Sequence, residues 1–130
     1  MDKHIEILIV TRSDVLQQGL GALLGSLPHI SRVQAAKDLP DAHTLTEEHR
    51  PKIVLLDETL LGKDPISALE TFRSLSPGTR RVLLVDDVSG RDVLITHAEA
   101  VLIKGIAPAA IASIITNLLS EEGDEHNDSN

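Results

Sequence analysis

Ile53-Val54-Leu55-Leu56-Asp57-Glu58-Thr59-Leu60-Leu61-Gly62-Lys63-Asp64-Pro65 is a strand, a turn and the start of a helix in thirteen consecutive residues. The four apolar residues that lead into Asp57 do not alternate with polar ones, which is the pattern of a strand covered on both faces, as in parallel sheets. Leu60-Leu61-Gly62 makes the turn. Asp64 followed by Pro65 is a helix cap followed by the residue favoured in a first helical turn. The helix that follows turns Leu69 and Phe72 inward and stops at Pro77-Gly78.

The same unit recurs on either side. Short apolar runs at Ile5–Val10, 82–85 and 101–103 read as buried strands, and 33–36 as a weaker one near an edge, flanked by Arg32, Gln34 and Lys37. Residues 14–27 carry Leu16, Leu20, Leu23, Leu24 and Leu27 on one helical face. Asp14 with Gln17 fits a capping box. Gly19, Gly21 and Gly25 weaken that helix by about 1 kcal/mol each against Ala, which suggests that some of them permit close packing on the sheet. A second helix is expected from Asp38-Leu39-Pro40 to just before Pro51, a short fourth within 89–98, and a last over 107–119 with Ile111, Ile114, Ile115 and Leu118 inward. Strands alternating with helices imply right-handed βαβ units, so the expected class is α/β with a (βα)5 parallel sheet and a shortened fourth helix.

Length and composition bound the rest. A chain of 130 residues, 42% hydrophobic and 25% charged, has the make-up of one folded domain, expected over 1–120. A second folded domain is not expected within these residues. Five of the twenty acidic residues fall in 121–130, which hold no Lys or Arg and are expected to form a disordered acidic tail. A net charge of −8 without a basic stripe argues against nucleic acid and anionic membranes as partners. No apolar run is long enough for a membrane span and no signal-peptide pattern opens the chain, so a cytoplasmic location is expected. The chain has no cysteine, which excludes thiolate metal sites and thiol nucleophiles.

In open parallel sheets the functional residues gather beyond the carboxyl ends of the strands. Here those ends carry Thr11-Arg12-Ser13-Asp14, then Asp57, then Asp86-Asp87, then Lys104. Asp57 with the Leu60-Leu61-Gly62 turn, Lys104 after the fifth strand, and Gln17-Gln18-Gly19-Leu20 in the first helix together resemble the receiver domain of response regulators, from about Ile5 to Leu119. The resemblance implies a flavodoxin-like (CheY-like) three-layer αβα sandwich with strand order 2-1-3-4-5. It also implies an aspartate, Asp57, that accepts a phosphoryl group beside Mg²⁺. In the family that ion is held with the help of two acids after the first strand. A Thr or Ser after the fourth strand and a lysine complete the site, and an aromatic residue in the fifth strand changes orientation.

This chain departs from the pattern at most of those points. Thr11 and Arg12 stand where the acidic pair would be, Asp86 at the Thr or Ser position and Val101 at the aromatic one, and Gly105 follows Lys104 where proline is common. Arg12, Asp57, Asp86 and Lys104 then sum to zero charge, where the ordinary pocket is negative and suits Mg²⁺. An arginine within about 4–6 Å of a carboxylate holds it ionised, so an Arg12–Asp57 pair is expected, with no cofactor. The alternative is a working phospho-acceptor whose metal ligands, if any, are Asp57, Asp86 and Asp14.

The six histidines show no metal-ligand spacing and are expected at the surface. No nucleophile elbow, dinucleotide fingerprint or phosphate loop is present, so an enzyme is not expected. Val93, Leu94, Ile111, Ile115 and Leu119, on the fourth and last helices, are the candidate interface, for a homodimer or for a signalling partner such as a histidine kinase. The function expected is an atypical receiver acting in two-component signal transduction as a phosphorylation-independent interaction module, the alternatives being the working regulator or a purely structural subunit.

Overall fold

The computed structural model describes residues 5–120 in full and, from there to Asp128, the backbone of the last helix alone. The tail expected over 121–130 lies outside the fully described residues. The elements in chain order are β1 (Ile5–Val10), α1 (Asp14–Gly25), β2 (Ile30–Ala36), α2 (Leu39–His49), β3 (Ile53–Asp57), α3 (Pro65–Leu75), β4 (Arg80–Val85), α4 (Asp92–Ile95), β5 (Ala100–Ile103) and α5 (Pro108–Asp128). A single 3-10 turn, Glu58–Leu60, links β3 to α3. All strand pairs are parallel and the order is β2-β1-β3-β4-β5, so the expected fold class is the one observed, down to the one-turn fourth helix.

Successive residues of a strand point to opposite faces, and here each face has its own core. Leu8, Val10, Val54, Leu56, Leu83 and Val85 pack with Ala42 of α2 and Leu69 and Phe72 of α3. Ile7, Ile9, Ile53, Leu55, Val82 and Leu84 pack with Leu20 and Leu24 of α1 and Ile115 and Leu118 of α5. The unbroken apolar runs of β1, β3 and β4 follow from this double coverage.

Local signals place the helix starts. Asp38 accepts from the Asp41 amide at 2.9 Å and Asp64 from the Ser67 amide at 3.1 Å, each ahead of a first-turn proline. For α1 the cap is Ser13, which accepts from the Leu16 amide at 3.1 Å, one residue before the capping box expected at Asp14. Asp14 lies inside the first turn and pairs with Lys37 at 2.6 Å. The close packing expected of the α1 glycines is also corrected: a Cβ placed on Gly19, Gly21 or Gly25 would meet nothing within 4 Å.

β4 begins two residues earlier than its apolar run and buries Arg81, only 4% exposed. Its guanidinium binds both carboxylate oxygens of Glu99, at 3.1 and 3.0 Å, and the Leu69 carbonyl at 3.0 Å. Its charge is matched by carboxylates, the condition under which a buried arginine is tolerated. Among the described residues no helix is long and apolar enough to cross a membrane.

Candidate functional site

Asp57 closes β3 at the carboxyl edge of the sheet and is 4% exposed. Both its oxygens are occupied. Thr11, the residue after β1, donates its hydroxyl to Asp57 Oδ2 at 2.7 Å. The Lys104 ammonium reaches Oδ1 at 2.8 Å from the end of β5, and Thr59 adds its amide at 3.1 Å and its hydroxyl at 2.9 Å. The Thr59 bonds form a turn in which an aspartate side chain accepts from the backbone two residues on, and they hold the start of the 3-10 turn. Burial pushes the Asp57 carboxyl up. The bonds from Lys104, Thr11 and Thr59 outweigh it and leave the group below its ordinary value, so it is a carboxylate at neutral pH.

The backbone holds these donors in place. Thr11 N–H donates to the Ala36 carbonyl at 3.1 Å, and the Thr11 hydroxyl accepts from the Ser13 amide at 3.2 Å, so it is oriented by the same turn that caps α1. Lys104 N–H donates to the Val85 carbonyl at 2.8 Å, which extends the β4–β5 ladder by one residue and aims its side chain across the crevice.

Asp86 lies at the rim with its side chain 70% exposed, and Lys104 Nζ is 3.8 Å from its Oδ1. Glu58, next to Asp57, belongs to a different set of contacts. Its carboxylate receives Nε and Nη2 of Arg91, the latter at 2.8 Å, and lies 3.4 Å from the Asp86 amide.

Asp57, Thr11, Asp86 and Lys104 do meet at one place, but the Arg12–Asp57 pair does not form. Arg12 is exposed and makes no ion pair among the described residues, while the position facing Asp57 belongs to Thr11. Neighbouring residues leaving a strand point in opposite directions, so only one of the two can face the crevice. Nor do Asp57, Asp86 and Asp14 gather: Asp14 is held by Lys37, and among the described residues no three acidic or histidine side chains are grouped to bind a metal.

The interface expected at Val93, Leu94, Ile111, Ile115 and Leu119 is divided by the structure. Val93 is 63% exposed, Leu94, Ile111 and Leu119 are partly buried against the two cores, and Ile115 is fully buried because it belongs to the inner face of α5. His43 departs from the expected surface histidines, lying half-buried with its ring edge-on to Phe72 at 5.0 Å between centroids.

Thr59, Glu58 and Arg91 were not anticipated as site residues. Thr59 was findable, because an aspartate followed two residues later by a residue with both amide and hydroxyl is a turn signal. The Glu58–Arg91 pair, 33 residues apart with α3 and β4 between, left no such mark.

No family model matches the chain, and no curated protein matches it in sequence. Solved structures match it closely in shape. The signal receiver domain of an HD domain-containing protein from Pseudomonas fluorescens Pf-5 is 23% identical over 98% of this chain and 95% of that one, with a TM-score of 0.82. A response regulator receiver domain protein (CheY-like) from Methanospirillum hungatei JF-1 is 20% identical over 94% and 98%, with a TM-score of 0.80. A LuxR-family two-component response regulator from Aurantimonas sp. SI85-9A1 is 24% identical over 91% and 86%, with a TM-score of 0.77. The fold is that of the response-regulator receiver domain, as the strand-end residues implied.

Proposed function

We propose that this chain is a receiver-like interaction module of two-component signalling, recognised by a cytoplasmic signalling protein such as a histidine kinase without phosphorylation of Asp57. The observation that carries the reading is the occupancy of Asp57: four hydrogen bonds from Thr11, Thr59 and Lys104 satisfy both oxygens.

Mg²⁺, which the fold implies, asks for several oxygen ligands with carboxylates among them and for room to keep its waters. The residues present do not fit it. The end of β1 offers a hydroxyl already donating to Asp57 and an outward arginine, Glu58 is engaged by Arg91, and the remaining acid near Asp57 is the exposed Asp86. Asp57 is balanced instead by Lys104, and Asp86 stays at the solvent-exposed rim. A role in recognition rather than catalysis fits a site whose charges are spent on each other.

The retained Lys104–Asp57 contact favours one second reading, a working phospho-acceptor, because that lysine would also pair with a phosphoryl group. Incubation with phosphoramidate and a divalent cation, followed by intact mass measurement, separates the two. The interaction module leaves the mass unchanged; a phosphoryl adduct that disappears in Asp57→Asn would establish the acceptor.

A further inference from the structure

The segment that crosses from β4 to β5 has little regular structure, although Leu94 and Ala98 pack against the core. Its helix, α4, is four residues long and has no side-chain cap, and so short a helix is unstable alone. Gly90, at φ +72°, supplies the left-handed turn that reverses the chain before it. Yet the segment is well bonded at one point. Arg91 places two guanidinium nitrogens on the two oxygens of Glu58, the paired geometry that makes Arg–carboxylate contacts both strong and directional. The same guanidinium donates to the Ser89 carbonyl at 2.8 Å and lies 3.5 Å from Asp87, and the Arg91 carbonyl accepts from the Ile95 amide at 2.9 Å.

Glu58 is the residue after Asp57, so this contact ties the β4–α4 crossing directly to the end of β3. It is mostly shielded, with side-chain exposures of 12% for Glu58 and 27% for Arg91. The apolar residues that face outward on the crossing, Val88 at 45% and Val93 at 63% exposed, lie on either side of Arg91 in the chain.

From these contacts we infer that Glu58 and Arg91 form a clasp that fixes the β4–α4 crossing, and with it the Val88 and Val93 surface, in one conformation. The clasp uses none of the Asp57 contacts, so it stands or falls separately from the reading of Asp57 as unphosphorylated.

Amide hydrogen exchange on the whole protein tests it. The amides of Arg91, Ile95, Thr96 and His97 are bonded within the crossing, and those of the β1–β3 ladder serve as the internal reference. Glu58→Gln is expected to speed exchange of the crossing amides by about tenfold or more while the reference amides keep their rates, as local opening requires. The charge-reversed double variant, Glu58→Arg with Arg91→Glu, is expected to restore protection. Wild-type protein taken from low to about 1 M salt, where screening reaches about 3 Å, should show a smaller selective rise and needs no variant to fold. Unchanged crossing rates in Glu58→Gln, or rates that rise equally across the sheet, would overturn the clasp.

Discussion

The Thr11 hydroxyl donates to Asp57 Oδ2 at 2.7 Å, so a neutral donor from the end of β1 covers the carboxylate at the end of β3. Both residues are almost fully buried, at 1% and 4% exposure. Thr11→Val keeps the shape and removes the donor. It is expected to lower stability by about 1–3 kcal/mol, the range for leaving a buried polar group unsatisfied, while Thr11→Ser retains most of it. Urea unfolding of the three proteins at neutral pH checks this.

The same carboxylate gives the protein an acid sensitivity with a definite sign. The folded-state value of Asp57 lies below its ordinary 3.8, so the unfolded chain takes up a proton first as pH falls. Its contribution to stability is therefore complete above about pH 4 and is lost as pH drops through the lower folded value. Unfolding free energies of wild type and Asp57→Asn, measured from pH 7 to pH 3, should converge toward the acid end. Parallel curves would contradict the depressed Asp57.

Arg81 and Glu99 predict a strong asymmetry between single and double substitutions. Glu99→Gln removes the bidentate partner of a guanidinium that is 4% exposed and leaves it with the Glu70 carboxylate, 3.5 Å from Nη1, and breaking one side of a buried pair costs more than the pair contributes. The loss should be at least about 2 kcal/mol. Arg81→Met combined with Glu99→Leu should recover a large part of it, as measured by a double-mutant cycle in thermal or urea unfolding.

The glycines of α1 predict a gain. Gly19 and Gly21 lie within the helix, and a methyl on either meets nothing within 4 Å. Gly19→Ala and Gly21→Ala should each raise stability by about 0.5–1 kcal/mol, through helix propensity and a less flexible unfolded chain. A destabilised Gly21→Ala in the same unfolding assay would restore the close-packing expectation.

How far the sequence carried these features follows from the range of the interactions. Strands covered on both faces announce themselves as unbroken apolar runs, so β1, β3 and β4 were plain, and β2, half-exposed at the sheet edge, was read too short at 33–36 against Ile30–Ala36. Asp57 and Lys104 were legible because the fold sends functional residues to the strand ends. Arg12 was misplaced because a charge count ignores direction: Thr11 and Arg12 leave β1 on opposite sides, and the inward one is the threonine. Arg81–Glu99 and Glu58–Arg91 join residues 18 and 33 positions apart, from different elements, and pairs of that kind have no period or spacing that marks them.

The most direct measurement of the self-satisfied pocket is an amide NMR titration of the protein with Mg²⁺ and then with beryllium fluoride, following Asp57, Thr59, Asp86 and Lys104. If Thr11, Thr59 and Lys104 already fill the coordination of Asp57, these amides move little and without saturation. Large saturable shifts at the same four positions would contradict it and return Asp57 to the role of phosphoryl acceptor.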